Sequence, residues 1–317
     1  MNLLREIHLA EKRIRPHTLT TPLMESRELG KEIGGKVYLK LESEQHTGSF
    51  KARGSLNKVL SLSEKEKSKG VITASTGNHA LGMARALELT GTKGTIFLPQ
   101  TAANAKVEAL RNYAVNLEFY GTDPLATEVY AKAQAQKQQA VWVSPYNDAQ
   151  VAGGQGTIGI ELCEQLDKFA YVLVTMGGGG LISGIGSFLK AERPSVKVVG
   201  CQPENAPEMT LSLKEGKIID LPKYIETLSD GSAGGIEQGA ITFPICQEVV
   251  DTCLLISESE IIDALRFMVY THHKIVEGAA AVPIAALRKN PEKFQGATVV
   301  IVVCGANISG EKLRGIL

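Results

Sequence analysis

The chain has 317 residues, and its 34 basic and 34 acidic side chains cancel. A balanced charge excludes a net field that would draw it to nucleic acid or an anionic membrane. Five cysteines, scattered from Cys163 to Cys304 without CxxC spacing, exclude a disulfide framework and a zinc site and suit a reducing cytosol. The length allows one large domain or two of ordinary size. The first residues gather charges at once and lack a signal-peptide core, so a cytoplasmic protein is expected. One uncharged run, 169–189, has the length of a membrane span. Four glycines in its middle argue instead for a strand, a glycine loop and a buried helix start.

Taken in order, β-branched runs at 37–42, 70–75, 94–99, 115–120, 140–144, 171–176, 196–201, 252–256 and 297–304 read as strands. Helical patterns at 78–90, 103–112, 124–136, 157–166 and 258–273 fall between them. This alternation predicts an α/β protein of mostly parallel sheets covered by helices on both faces. Ligands bind at the C-terminal ends of such strands, and four loops there are rich in small residues.

The first of these loops is Ser49-Phe50-Lys51-Ala52-Arg53-Gly54. Ser49 is expected to cap a helix carrying Leu56, Val59 and Leu60 on one face. That puts Lys51 in the first turn, where the helix dipole opposes its ammonium form and favours a nucleophilic or basic amine. An ordinary solvated lysine is the competing reading. The second loop, Ser75-Thr76-Gly77-Asn78-His79, offers hydroxyls, an amide and free N–H groups able to hold a carboxylate. A simple Ser/Thr cap over a buried histidine explains it equally well. The third, Gly177-Gly178-Gly179-Gly180, exposes backbone N–H groups at a helix start and suits a phosphate, although it lacks the GK[ST] of a P-loop. A tight backbone crossing is the alternative. The fourth loop is Cys304-Gly305-Ala306-Asn307. A GxGxxG at Gly154–Gly159 follows no strand and reads as glycine packing at a helix start. The pair His272-His273 diverges on a helix and is no metal pair. An amine, a phosphate cradle and a carboxylate-holding loop together are what a pyridoxal 5′-phosphate enzyme of amino acids requires.

These motifs closely resemble the fold-type II pyridoxal-phosphate family of serine/threonine dehydratases and serine racemase. Also matching, in the same order, are Gly153-Gly154-Gln155-Gly156-Thr157 and Asp230-Gly231. The resemblance implies the two-domain tryptophan synthase β-like fold. Residues 1–64 and 148–317 would form a large cofactor-binding domain, 65–147 a small mobile one, and the assembly would be a homodimer or homotetramer. It makes Lys51 the Schiff-base lysine and proton acceptor, with Phe50 beside the cofactor ring and Asn78 on its 3-hydroxyl. Gly177 to Gly180 would take the phosphate, with Gly231 and Glu277 near the ring. Ser75, Thr76, Asn78 and His79 would surround the substrate carboxylate.

Three positions depart from the family pattern. Cys304 stands where many relatives place a serine against the pyridine nitrogen; either leaves that nitrogen largely unprotonated and favours elimination over a long-lived carbanion. Thr76 stands where the racemase has its second-face acid/base serine and many dehydratases an alanine; its hydroxyl can relay a proton as a second catalytic group, but its methyl restricts its rotamers and disfavours racemisation. Relatives that bind a divalent cation use a Glu, a carbonyl and an Asp; here Gln202, Ala206 and Glu208 align, and losing one carboxylate weakens a hard-cation site. The expected reaction is dehydration and deamination of a β-hydroxy-L-amino acid such as L-threonine or L-serine. Serine racemase with side dehydratase activity and 3-hydroxyaspartate dehydratase are the alternatives within the family. A nucleotide-dependent dehydrogenase resting on Gly154–Gly159, and a binding protein without chemistry, are the alternatives outside it. Because the sequence stops just past the last motif, no isoleucine-sensing domain is expected, which suits a catabolic role.

Overall fold

A computed structural model describes residues 2–221 and 225–317. The strands are β1 (Leu23–Glu25), β2 (Lys36–Leu41), β3 (Val71–Ala74), β4 (Gly94–Leu98), β5 (Asn116–Phe119), β6 (Val141–Trp142), β7 (Tyr171–Thr175), β8 (Lys197–Pro203), β9 (Thr252–Ile256) and β10 (Thr298–Val303). Six form one sheet in the order β1-β2-β10-β7-β8-β9, and four form a second in the order β5-β4-β3-β6. Every pairing is parallel except β1 with β2. The chain is thus the α/β protein that alternation predicted, and each expected strand is present. The short β1 gave no signal, because three residues after Pro22 cannot display an alternation.

Burial explains why the strands of the larger sheet read as continuous apolar runs. Val172, Leu173, Val174 and Val299 to Val303 are each fully enclosed, since helices cover both faces. The smaller sheet is packed by Met83, Ala84 and Leu87 of the helix Asn78–Thr90 on one side. Its other side meets Ala131 and Ala135 of the helix Pro124–Gln138.

Two local expectations are corrected. Ser49 does not cap the helix Lys51–Ser61; Phe50 occupies that position, and Ser49 instead bridges to Gly305. The glycine cluster 153–159 is not a helix start but lies inside the helix Ala149–Gln165, which begins eight residues before the predicted 157. Glycine in a helix interior costs up to about 1 kcal/mol in propensity, and close helix contact offsets that here. A Cβ on Gly154 would lie 2.6 Å from Gly54 Cα, and one on Gly184 would lie 2.3 Å from the Ala152 carbonyl. Three helices therefore cross backbone against backbone: Lys51–Ser61, Ala149–Gln165 and Gly180–Glu192.

A buried ionic cluster ties the first two of these helices to the sheet. Arg53, 1% exposed, donates to both oxygens of Glu42 at 2.8 Å and to Glu161 at 2.7 Å and 3.0 Å. Lys40 Nζ completes it on Glu161 Oε2 at 2.5 Å, the Thr21 carbonyl and Gln165. Burial pushes the Glu161 carboxyl up, but Arg53 and Lys40 outweigh it and hold the group below the usual range.

Gly154→Ala should lower stability in urea unfolding by about 1–3 kcal/mol despite its better helix propensity, because the added methyl overpacks backbone. In contrast, Gly315→Ala, in an exposed helix with nothing within 4 Å of the new Cβ, should be neutral or stabilising by up to about 1 kcal/mol.

Candidate active site

Lys51 is delivered by a turn between β2 and its helix, where Thr47 (φ 63°) and Gly48 (φ 70°) both take the left-handed conformation. Its Nζ donates to the Pro145 carbonyl at 2.7 Å and lies 5.2 Å from the centre of the Phe50 ring. Burial lowers the Lys51 ammonium to about 8, against the opposing pull of Cys304 and Glu277. The depressed basicity expected at a helix terminus is therefore present, with enclosure as its main cause.

The second loop closes the C-terminal end of β3. Ser75 Oγ accepts the Gly77 N–H at 3.2 Å, and Gly77 starts the helix Asn78–Thr90 without a side-chain cap. The first-turn N–H groups of that helix are thus left for an external acceptor, in a loop where Thr76 is half-buried. Asn78 Nδ2 points to Glu277, at 2.8 Å from Oε1 and 3.0 Å from Oε2, while Asn78 Oδ1 accepts from Asn307 Nδ2 at 2.7 Å. The imidazole of His79 turns inward. It is 2% exposed, with Nε2 3.0 Å from Thr73 Oγ1, and burial together with Lys51 lowers its pKa to about 3. His79 can therefore offer a carboxylate its backbone N–H but no cationic ring.

Gly177–Gly180 links β7 to the helix Gly180–Glu192, again without a side-chain cap, and Gly179 (φ 87°) turns the chain into it. Among the described residues, the N–H groups of Gly177, Gly178 and Gly179 have no partner. The crossing is also tight. A Cβ on Gly177 would meet the Ser232 carbonyl at 2.7 Å, and one on Gly178 the Tyr146 ring at 2.5 Å. The two readings of this run are therefore compatible: backbone donors are exposed because neighbours leave no room for side chains.

Glu277, Gly231 and Cys304 lie together beside Asn78. A Cβ on Gly231 would be 3.8 Å from Glu277 Oε1, and Cys304 Sγ is 4.0 Å from the same oxygen. Burial pushes the Glu277 carboxyl up to about 7, opposed by its bonds from Asn78. Burial and Glu277 push the Cys304 thiol up, so it stays protonated. Of Gln202, Ala206 and Glu208, the first two are bonded to each other. Gln202 Nε2 donates to the Ala206 carbonyl at 3.2 Å, and its Oε1 accepts from Thr210 N and Oγ1 at 2.7 Å and 2.6 Å. Both ends of the amide are consumed, and burial pushes the Glu208 carboxyl up. Among the described residues no three His, Cys, Asp or Glu side chains gather as metal ligands.

Pro145, Tyr146 and Asn307 were not singled out from the sequence. Pro145 and Tyr146 follow the expected strand 140–144, so the strand-end rule that found the other loops would have reached them. Asn307 stood in a quoted motif without a role.

The arrangement fits pyridoxal 5′-phosphate. Lys51 supplies an amine of lowered basicity, the glycine loop supplies unpaired N–H donors at a helix start, and Phe50 supplies a ring face. Asn78 Nδ2 carries two hydrogens, enough for Glu277 and a ring hydroxyl.

Comparison with known proteins agrees. The family profile described as pyridoxal-phosphate dependent enzyme matches residues 14–305. L-threonine ammonia-lyase of Thermotoga maritima is 40% identical over 310 residues, spanning 97% of this chain and 76% of its own. The processed form of threonine deaminase isoform 2 from Solanum lycopersicum superposes with a TM-score of 0.94 at 33% identity, covering 99% of this chain and 86% of that one. Maize serine racemase gives 0.91 at 31% identity, covering 98% and 96%.

The lowered basicity of Lys51 has a consequence for stability. The unfolded chain keeps this proton up to about 10.5 and the folded one only to about 8, so stability rises with pH across that interval. Lys51→Met should therefore stabilise the cofactor-free protein at pH 7 by roughly 3 kcal/mol. The gain should shrink as pH climbs from about 8 to about 10.5, as followed by denaturant unfolding.

Proposed function

The chain belongs to the pyridoxal-phosphate dependent enzymes and is an ammonia-lyase, and we propose that L-threonine is its principal substrate, with L-serine a second. The observation that carries this reading is the enclosed Lys51 amine, set beside a glycine loop and an uncapped helix start that can bind two anions. Threonine as substrate is supported by the names of the relatives that share most of the chain.

In this reading the cofactor, when bound, supplies the electron sink that acidifies the substrate Cα–H. The N–H groups of Gly177 to Gly180 would hold its phosphate, Phe50 would cover its ring, and Asn78 would bond its ring hydroxyl, with Gly231 and Glu277 alongside. Backbone donors from Thr76 to His79, with Ser75 and the Asn78 amide, orient the substrate carboxylate. Lys51 takes the Cα proton, and a basicity near 8 lets it hold and return that proton close to neutral pH. Cys304, kept neutral by burial, brings no charge to the ring edge and so suits loss of the β-hydroxyl. Over the whole reaction threonine loses ammonia and becomes 2-oxobutanoate. Residues 65–147 would act as a small domain closing on 1–64 and 148–317, and the assembly would be a homodimer or homotetramer in the cytosol, which the free thiols suit.

Ammonia release from cofactor-loaded protein, assayed over β-hydroxy amino acids in both enantiomers, tests this. Activity on L-threonine is expected, and Lys51→Ala should reduce it at least about 10³-fold, given that base and nucleophile are removed together. EDTA should leave the rate unchanged, because Gln202 brings no carboxylate and its amide already holds the Ala206 carbonyl. Silence on every L-substrate would sink the proposal. Racemisation requires a second proton donor, and Thr76 is the hydroxyl nearest that role. Thr76→Ala should keep ammonia release within a few-fold while abolishing any D-amino acid detected by chiral chromatography.

A further inference from the structure

Residues 233–240 connect the turn Asp230–Ser232 to the helix Thr242–Val249, and three of them are unlike the glycines of the core. A Cβ on Gly234, Gly235 or Gly239 would meet nothing within 4 Å, while Gly234 (φ 129°) and Gly239 (φ 75°) hold conformations open to glycine. Packing does not demand small residues here, so the glycines leave the segment free to pivot. Its centre is nonetheless gripped. The Glu237 carboxylate pairs with Lys132 on the helix Pro124–Gln138 and accepts Asn147 Nδ2 at 2.6 Å. The Glu237 N–H donates to Tyr146 Oη at 2.8 Å, and the Ile241 N–H donates to Asn147 Oδ1 at 2.9 Å.

Tyr146 and Asn147 belong to the strap Ser144–Asn147, whose inner side faces the site. The Pro145 carbonyl holds Lys51 Nζ, the Tyr146 ring lies against Gly178, and the Tyr146 Cα and Cβ lie against Gly180. One short segment is thus bonded on its outer side to Glu237, and on its inner side it is bonded to the amine and packed on the glycine loop. We propose that Glu237 is a positioning residue for the lyase: it clamps the strap over the bound cofactor, and opening of the clamp lets the cofactor leave. This rests on the pyridoxal-phosphate reading above. A half-exposed ion pair contributes little alone, so the clamp must act through the joint grip on Lys132, Asn147 and Tyr146.

The test is the rate at which pyridoxal 5′-phosphate leaves the holoenzyme, followed by absorbance in the presence of excess competing scavenger. Glu237→Ala should speed release at least about tenfold and Lys132→Met a few-fold, with the double variant no faster than Glu237→Ala because the two residues share one contact. The thermal midpoint of the cofactor-free protein should stay within about 2 °C of wild type, the scale of a surface change. Glu237→Gln keeps an acceptor for Asn147, should fall between, and replaces the alanine variant if that one does not fold. Release rates within twofold of wild type for all three single variants would overturn the clamp. So would multiplying effects of the two sites, or an equal destabilisation of the cofactor-free protein. A wild-type protein that binds no pyridoxal phosphate would instead overturn the functional reading.

Discussion

The structure depends on the buried ion cluster around Arg53. Two residues after Lys51, this guanidinium is bonded to Glu42 at the end of β2 and to Glu161 on the helix Ala149–Gln165. Lys40 balances the second carboxylate, so two positive and two negative charges meet out of water. Such a set is weak as a source of net stability, but removing one member strands a charge and costs several kcal/mol. Its value is therefore geometric. The helix that begins at Lys51 cannot slide or rotate without breaking several charge-assisted bonds at once.

With that helix held, the remaining chemistry follows from what surrounds its first turn. Enclosure by Phe50, Pro145 and the strands around Cys304 lowers the lysine's basicity. Two helices begin nearby without side-chain caps, at Gly77 and Gly179, so their donors await a ligand where a soluble protein would ordinarily satisfy them with Ser, Thr or Asp. Glu277 joins the two sheets through Asn78, and burial keeps it poised between charged and neutral near physiological pH. The uncapped starts, a carboxyl held near 7 and a lysine near 8 lie together, the grouping on which the proposed anion-binding acid–base site rests.

Much of this was legible from residues alone. The strands are visible because they are β-branched and doubly buried, and the loops because glycine, serine and asparagine gather where strands end. The errors have physical causes. Ser49 satisfies every compositional rule for a cap, yet the chain needs it in a bridge to Gly305, so the helix starts uncapped by a side chain. The glycines at 153–159 imitate a helix start because propensity penalises them in a helix, while packing against Gly54 and Gly184 rewards them. His79 sits in a ligand-holding motif, yet only its backbone faces that way.

The order of small-residue loops and β-branched runs determined the fold class and marked Lys51 and Gly177–Gly180 as the candidate amine and phosphate loop, since backbone geometry restricts which residues can occupy such places. Other features required the tertiary structure. That Gln202 spends its amide on Ala206 and Thr210, that Glu277 meets Asn78 some two hundred positions away, and that Tyr146 lies on Gly178 are contacts between distant segments. So are the burial that lowers Lys51 and the grip of Glu237 on the strap. Local sequence encodes backbone conformation, whereas desolvation and side-chain partnership are set by whatever the fold brings alongside.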